Sequence, residues 1–427
     1  MIRNMSERNH GFARFVSRAL GVRQIMSNRV LEASSGKSLQ VAENSKSRPS
    51  QALDHHDLLP KLGFAEVYRV RSNIGLLIQD FARKPIPTLT YEYLTQYKPP
   101  LTNNEKYVLA IKTINQLLTY TCRRLVAVQK LPYIAVLNPN IEETNRLYLK
   151  TLESLLSMDY PYGLHDQASM QGKLTEFLDD HQDTLLTLSK GFQEIMGLYP
   201  EKEVVFEFLN AHLRDRIIMK LLATHYLKLV SQVDPDSLMI GVLHKKLKVS
   251  ELIRRVAEFV GDLCFVKYDQ QVPVNISTGS DIEFSCIPTD LEYVLTELLK
   301  NSCRAHIENS TSENPTHEKP IEVAIVRSDD TLEIRIQDYG GGIPPKVEDR
   351  MFDYSYSTVE MDEKDTGMSA FIIPGAEVSN VSGMGFGLPM CKAYLEMFGG
   401  TLDIQSLWGW GTDAYVKLKG PQSKLLR

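Results

Sequence analysis

The stretch Glu297-Leu-Leu-Lys-Asn-Ser-Cys-Arg304 places three polar residues on one face of a predicted helix. Apolar residues from Leu291 to Leu298 recur mostly at three- and four-residue steps, which predicts a helix with one buried side. Glu297, Asn301 and Arg304 stand at i, i+4 and i+7 and so share a neighbouring face. This face offers a carboxylate as a base, an amide oxygen suited to magnesium and a cation for phosphate oxygens. Taken alone, the pattern also fits an ordinary solvated helix face.

A glycine-rich turn follows the predicted strand 332–337 in the stretch Asp338-Tyr-Gly-Gly-Gly-Ile-Pro344. The Asp338 carboxylate is expected at the sheet edge, where it can accept a hydrogen bond from an exocyclic amino group such as that of adenine. Gly340 and Gly342 leave the backbone open to close approach by a ligand. The alternative is a tight turn that begins with an acidic residue, but three consecutive glycines are unfavourable unless something approaches the backbone closely.

Two further motifs suit a phosphate-containing ligand. The stretch Gly383-Met-Gly-Phe-Gly-Leu388 precedes a predicted helix at 388–398, so its backbone N–H groups and the helix N-terminus favour anions. A flexible surface loop is the alternative for this stretch. Gly411-Thr-Asp413 opens the last predicted strand, where the Thr412 hydroxyl is placed to share a ligand with Asp338.

Other nucleotide-binding folds do not match the sequence. The glycine stretch is not followed by Lys-Ser/Thr, which excludes a P-loop, and it does not follow the first strand of a βαβ unit, which excludes a dinucleotide fold. The His-Arg-Asp and Asp-Phe-Gly motifs of eukaryotic protein kinases are absent from the sequence. The formal net charge of −5 argues against a nucleic-acid partner.

The N-terminal residues differ from the rest of the chain. Residues 1–30 contain six arginines and one acidic residue, with apolar side chains between them, which is typical of a mitochondrial transit peptide. A disordered basic tail is the alternative. The five cysteines are scattered and form no zinc or disulfide pattern, which fits a reducing compartment. No apolar run reaches the roughly 18 residues of a membrane span, so no transmembrane segment is expected.

The periodicity of apolar residues predicts an α+β chain with two main domains. Four long apolar stripes between 105 and 229 predict an antiparallel four-helix bundle, the third of them running from Leu174 to Phe192. From about residue 246 the pattern becomes mixed: helices are expected at 251–263 and, capped by Asp290, up to about 307. Strands are expected at 284–287, 321–326, 332–337, 402–405 and 414–419. The irregular segment 344–382 is expected to be a functional lid.

The predicted domain limits follow from these patterns. Residues 1–50 are expected to be transit peptide and linker, 51–245 a helical domain, 246–420 an α/β domain and 421–427 a short tail. The family resemblance given next implies a regulatory and docking role for 51–245 and ATP binding for 246–420.

The order of the motifs resembles the GHKL (Bergerat) α/β-sandwich nucleotide domain of gyrase and histidine kinases. Further stretches resemble the mitochondrial kinases of the pyruvate dehydrogenase and branched-chain 2-oxoacid dehydrogenase complexes: Asp349-Arg-Met-Phe-Asp-Tyr-Ser-Tyr-Ser357-Thr358, Leu131-Pro-Tyr-Ile134 and Asn138-Pro-Asn-Ile141. The likeness covers about residues 60 to 420 and looks closest to fungal pyruvate dehydrogenase kinases.

This resemblance implies roles for individual residues. Glu297 is expected to be the catalytic base, Asn301 the Mg²⁺ ligand, and Asp338 with Thr412 the adenine contacts. The other expected ATP-binding residues are Arg304, Gly340, Gly342, Ser357, Thr358, Gly383, Met384, Gly385, Phe386, Gly387 and Leu388.

The same resemblance implies an activity and partners. A family member is a serine kinase of the mitochondrial matrix that uses ATP and Mg²⁺ to phosphorylate, and so inactivate, the alpha subunit of the pyruvate dehydrogenase complex. It docks on lipoyl domains of the core of that complex, and it forms a homodimer or a heterodimer with a related kinase.

Three alternatives remain. A kinase of the branched-chain dehydrogenase is the first, because Tyr293 stands where animal pyruvate dehydrogenase kinases carry histidine. A histidine kinase is the second, although His225 lacks the following acidic residue, and His306 and His317 are expected at the surface. A non-catalytic ATP-binding adaptor is the third, and the presence of both the base and the magnesium ligand argues against it.

Overall fold

The computed structural model describes residues 64–156, 164–195, 202–310, 316–348, 350–353 and 386–426. The chain divides into two units at Arg83, and in the first of them the structure describes helix α1 (Phe64–Ala82). Lys84–Arg427 forms a second compact unit that contains all the sequence motifs. The predicted transit peptide lies outside the described residues. Within those residues, no helix is long and apolar enough to cross a membrane.

The second unit begins with helices. They are α2 (Tyr91–Leu94), α3 (Asn103–Gln129), α4 (Tyr133–Val136), α5 (Pro139–Leu156), α6 (Leu164–Asp180), α7 (Thr184–Ile195) and α8 (Lys202–Ser231). Thr102 starts α3 with a capping box, because its hydroxyl accepts from Glu105 N–H while the Glu105 carboxylate accepts from Thr102 N–H. Helix α3 packs against α5 and α8, and α5 packs against α7. The helical region is confirmed, whereas the four-helix arrangement is not.

The third predicted stripe is two helices rather than one. Helix α6 ends at Asp180 and α7 begins at Thr184, with buried His181 between them. The Arg216 guanidinium of α8 donates hydrogen bonds to the carbonyls of His181 and Gln182. These bonds satisfy carbonyls that a helix end leaves unpaired, so the chain can turn here without a glycine or proline. Sequence periodicity carries no trace of such a long-range cap.

The mixed part contains eight strands and four helices among the described residues. The strands are β1 (Met239–Ile240), β2 (Leu243–Lys248), β3 (Val274–Thr278), β4 (Glu283–Cys286), β5 (Ile321–Ser328), β6 (Thr331–Gln337), β7 (Thr401–Leu407) and β8 (Gly411–Lys419). The helices are α9 (Val249–Tyr268), α10 (Pro288–Glu308), α11 (Pro345–Glu348) and α12 (Gly387–Glu396). One sheet has the order β1-β2-β4, and the other has the order β3-β5-β6-β8-β7 with only β3 and β5 parallel.

The larger sheet packs on the helices as a two-layer sandwich. Alternate residues of β5 and β6, such as Val323, Ile334 and Ile336, are buried in one core with α9, α10 and α12. The same core continues into α7 and α8 through residues such as Phe192 and Leu213. The α+β fold and its nucleotide-type sandwich are therefore confirmed.

Both predicted hairpins are present, and they pair with each other through β6 and β8. Three details of the prediction are wrong or incomplete. Helix α10 begins at Pro288 with Ile287 as its N-cap, so Asp290 lies inside the first turn rather than at the cap. Strands β1, β2 and β3 were not predicted. Strand β2 also crosses the predicted domain limit at residue 245, and the domain limits remain predictions.

Tyr91 of α2 joins the helical part to the end of the larger sheet. Its ring stacks on Phe398 with the centroids 4.5 Å apart, and its hydroxyl donates to the carbonyl of Lys419 at 2.8 Å. Because Phe398 follows α12 and Lys419 ends β8, this side chain holds two elements of the sandwich at once.

Replacing Tyr91 should separate these two contributions. Tyr91→Phe keeps the stacked ring and loses one hydrogen bond, so the free energy of unfolding should fall by about 0.5–1.5 kcal/mol. Tyr91→Ala also loses the ring packing and should cost at least about 2 kcal/mol. Urea unfolding followed by circular dichroism measures both. Equal values for the two variants would show that the ring contributes nothing to the junction.

Candidate functional site

Helix α10 carries the three polar residues of the opening motif, and they differ in exposure. Glu297 is 7% exposed, whereas Asn301 is exposed and Arg304 is partly buried. Lys300 donates to Glu297 Oε1 at 2.8 Å, and Arg304 Nε lies 3.4 Å from Glu308 Oε1. The helix therefore buries the Glu297 carboxylate and exposes the Asn301 amide to solvent one turn later.

The start of α12 covers the free side of Glu297. A Cβ built on Gly387 would lie 2.6 Å from Glu297 Oε2, so glycine lets the helix start approach the carboxylate without displacing it. Tyr293 and Cys391 flank the same carboxylate. Burial, followed by the charge of Glu297, raises the pKa of both groups. Oε1 is paired with Lys300, so Oε2 is the oxygen that faces the helix start.

The remaining residues of the glycine stretch divide into two groups. Phe386 is fully buried in the core, and Leu388 is partly buried. The Phe386 side chain thus anchors the start of α12, and the roles of Phe386 and Leu388 in ATP binding remain predictions. Five predicted ATP-binding residues lie outside the described residues, and their roles remain predictions: Ser357, Thr358, Gly383, Met384 and Gly385.

Asp338 lies where three elements meet. Its Oδ1 accepts hydrogen bonds from Gly340 N–H at 3.0 Å and from Thr412 N–H at 3.1 Å. Its Oδ2 accepts from the hydroxyl of Ser302 on α10 at 3.2 Å. Burial raises the pKa of this carboxyl, and the three donors oppose that shift. Two carboxylate oxygens accept about four hydrogen bonds, so Oδ2 retains a lone pair for an outside donor.

Glycine is required around Asp338 for contact rather than flexibility alone. A Cβ on Gly340 would lie 2.4 Å from Ala305 Cβ, so this residue packs directly on α10. Gly342 has φ +74, and a Cβ there would lie 2.4 Å from the Leu407 carbonyl oxygen of β7. The Thr412 hydroxyl lies 3.4 Å from that of Ser406, which accepts from Ile343 N–H. In the described residues α10 and β7 approach the glycine turn closely, and the expected ligand contacts of Gly340 and Gly342 remain predictions.

Sequence reasoning missed Ser302, and it misplaced His306. His306 was expected at the surface, yet it is fully buried on α10. Its Nε2 lies 2.8 Å from Tyr339 N, in the residue after Asp338. Ser302 and His306 stand at i and i+4, so a second polar stripe on α10 was the available signal.

These residues fit an adenine nucleotide with a divalent cation. The Oδ2 lone pair of Asp338 suits an exocyclic amino group, and the exposed Asn301 amide suits a hard cation. In the part of the chain that the structure describes, His, Cys, Asp and Glu side chains form no group that could hold a metal alone. This donor set is what magnesium uses when phosphates and water complete its coordination.

Comparisons with known proteins agree with this geometry. The family model described as mitochondrial branched-chain alpha-ketoacid dehydrogenase kinase matches residues 88–244. The model described as histidine kinase-, DNA gyrase B-, and HSP90-like ATPase matches residues 286–422. These two matches cover the helical part and the sandwich in turn.

Three curated relatives are named as mitochondrial [pyruvate dehydrogenase (acetyl-transferring)] kinases. A Saccharomyces cerevisiae protein named [pyruvate dehydrogenase (acetyl-transferring)] kinase 1, mitochondrial, is 53% identical over 386 residues, which is 89% of this chain and 95% of the relative. An Arabidopsis thaliana kinase of that name is 25% identical, covering 77% of this chain and 89% of its own. Isozyme 4 of Mus musculus is 27% identical, covering 69% and 72%.

Removing the charge of Asp338 should separate stability from binding. Burial raises the pKa of Asp338, so the folded protein disfavours the charged form relative to the unfolded chain at neutral pH. Asp338→Asn should therefore not lower the free energy of unfolding at pH 7, while affinity for Mg·ADP should fall at least about tenfold. Calorimetric titration and thermal unfolding measure the two. Asp403→Asn, on exposed β7, is the control and should leave affinity unchanged.

Proposed function

The chain belongs to the mitochondrial pyruvate dehydrogenase kinase family, and on that basis we propose that it phosphorylates serine on the alpha subunit of the pyruvate dehydrogenase complex and so inactivates the complex. The ATPase-type domain supplies ATP binding, and the relatives are named as kinases. The observation that carries the proposal is the buried Glu297 carboxylate beneath the start of α12, with Asn301 one turn away on the same helix.

Glu297 acts as the base in this proposal. Lys300 occupies Oε1, so Oε2 is left to accept the proton of a serine hydroxyl as its oxygen attacks the γ-phosphate. Phosphoryl transfer needs mainly in-line positioning and charge neutralisation, so the base accepts the proton late. Magnesium, when bound with ATP through Asn301, would neutralise charge on the phosphates. Asp338 and Thr412 hold the adenine end.

The pyruvate complex is favoured over the branched-chain complex as the substrate. The helical part matches a family model that carries the branched-chain name, but the three relatives described above are named for pyruvate dehydrogenase. The 53% identity spans almost the whole of the yeast relative. A non-catalytic adaptor is disfavoured because the chain has both the buried Glu297 carboxylate and the exposed Asn301 amide that catalysis would use.

Location and partners follow from the same family. The relatives are named mitochondrial, and the arginine-rich N-terminal residues support import into the matrix. We infer that the helical part docks on lipoyl domains of the complex and that the kinase works as a homodimer or as a heterodimer with a related kinase.

A kinase assay with two substrates tests the activity. Labelled ATP and magnesium are offered with purified pyruvate dehydrogenase or with branched-chain dehydrogenase. Label should enter the alpha subunit of the pyruvate enzyme, and Glu297→Gln should reduce the rate by about 10²–10⁴-fold because the base is lost. Label on the branched-chain enzyme alone would overturn the substrate. No label on either, with ADP still bound, would support the adaptor.

Asn301→Ala tests the cation site separately. Asn301 is exposed, so the substitution should leave the thermal midpoint unchanged. Loss of an outer-shell metal partner typically costs 10–100-fold, so loss of a direct ligand should reduce kcat by about 100-fold or more. Activity measured across a magnesium titration, beside Asn275→Ala at an exposed position of β3, gives the comparison. Normal turnover by Asn301→Ala would refute the assignment.

A further inference from the structure

His306 is a buried side chain whose two ring nitrogens are both occupied by backbone groups. It is 0% exposed and lies near the end of α10. Its Nδ1 lies 2.9 Å from the Thr316 carbonyl oxygen, and its Nε2 lies 2.8 Å from the Tyr339 nitrogen. The Thr316 hydroxyl returns a hydrogen bond to the His306 carbonyl at 2.6 Å. The imidazole thus bridges α10, the segment after it and the turn after β6.

These partners determine the tautomer. A carbonyl oxygen can only accept, so Nδ1 must carry the proton. A backbone N–H can only donate, so Nε2 must be unprotonated and accept from Tyr339. The ring is therefore neutral with the proton on Nδ1, and an imidazolium would place two donors against each other at Tyr339.

Tyr339 directly follows Asp338, so this bond acts on the nucleotide turn. Gly340, the next residue, packs on Ala305 and on the backbone of His306, and its carbonyl accepts from the Asn309 amide at 2.8 Å. Two side chains at the C-terminal end of α10 thus hold the turn. His306 bonds the nitrogen of Tyr339, and Asn309 bonds the carbonyl of Gly340.

We propose that His306 is a positioning residue for the nucleotide site, holding the backbone after Asp338 in register with α10 through its Nε2 acceptor. The proposal rests on the proposed function, because it assumes that Asp338 binds the adenine of ATP. His306 itself does not touch the nucleotide. Its loss changes where Asp338 points and leaves the base and cation ligand in place.

The surroundings of the ring favour the neutral form. Burial is the main cause of its lowered pKa, and the charge of Lys319 adds to it, while the bond to Thr316 opposes the shift. The aromatic ring of Tyr339 stands edge-on to the imidazole with centroids 6.4 Å apart. No carboxylate from α10, from the turn after β6 or from the Thr316–Glu318 segment is among the causes of the shift.

Two substitutions test the roles of the two ring nitrogens of His306 separately. His306→Gln places an amide oxygen near Nε2 and can still accept from Tyr339, whereas His306→Asn reaches only the Thr316 side. His306→Asn should weaken Mg·ADP binding about tenfold, because a buried N–H is left unpaired. His306→Gln should bind within about threefold of wild type. Isothermal titration measures binding, and thermal unfolding confirms that each variant is folded.

His225 gives a matched control. It is also a buried histidine, and its Nδ1 accepts from Val242 N–H at 3.4 Å. It lies on α8, outside the candidate site. His225→Asn should lower the thermal midpoint and leave Mg·ADP affinity within about threefold of wild type. A folded His306→Asn that binds like wild type, or His306→Gln that loses as much as His306→Asn, would overturn the proposal. Wild type that fails to bind Mg·ADP would instead refute the proposed function.

The pH dependence tests the neutral ring without relying on His306→Asn. The folded pKa is lowered, so the unfolded chain takes up the proton first as pH falls below its ordinary value of about 6.5. The stability that neutral His306 contributes is thus present above about pH 6.5 and is lost below it. When the pH is lowered from 7.5 to 5.5, the thermal midpoint of wild type should fall by more than that of His306→Gln. Parallel curves would show that the ring is not held neutral.

Discussion

A buried carboxylate sets the geometry of this molecule, because Asp338 must find donors wherever it is taken out of water. The donors come from the turn itself, from β8 and from α10. A buried carboxyl group that lacked any one of them would be costly, so these hydrogen bonds favour the observed meeting of β6, β8 and α10. Gly340 and Gly411 are small because the backbones must approach to make these bonds. Binding chemistry and fold geometry therefore depend on the same group.

Helix α10 carries this constraint to the reacting end of the site. Ser302 contacts Asp338, and Glu297 lies five residues earlier, which is about 7 Å along the axis of a helix. Helix α10 packs on both α9 and α12, and such close packing keeps it rigid. One rigid element thus sets the distance between the Asp338 end and the Glu297 end of the candidate site.

Local pattern predicted the elements well, and long-range contacts explain where it failed. The periodicity of Leu291, Val294 and Leu298 predicted α10, and alternation in β6 predicted the hairpin. The break at His181 depends on Arg216, and the role of His306 depends on Tyr339, 33 residues away. Strand β2 is rich in lysine and is half-exposed, so no apolar alternation marked it. Motif spacing selected Glu297 and Asp338 but could not supply their partners.

Tyr293 shows how a substitution near the base alters its surroundings without replacing it. Histidine at this position could share the proton, but a buried tyrosine whose pKa is raised by burial and by Glu297 keeps its own proton. Its hydroxyl has no hydrogen-bond partner in the described part of the chain, and its ring packs on Tyr394 at 5.1 Å. Tyr293 therefore shapes an apolar wall beside the carboxylate. Lys300 is the one charged neighbour of Glu297 within ion-pair distance among the described residues, and it contacts Oε1 rather than Oε2.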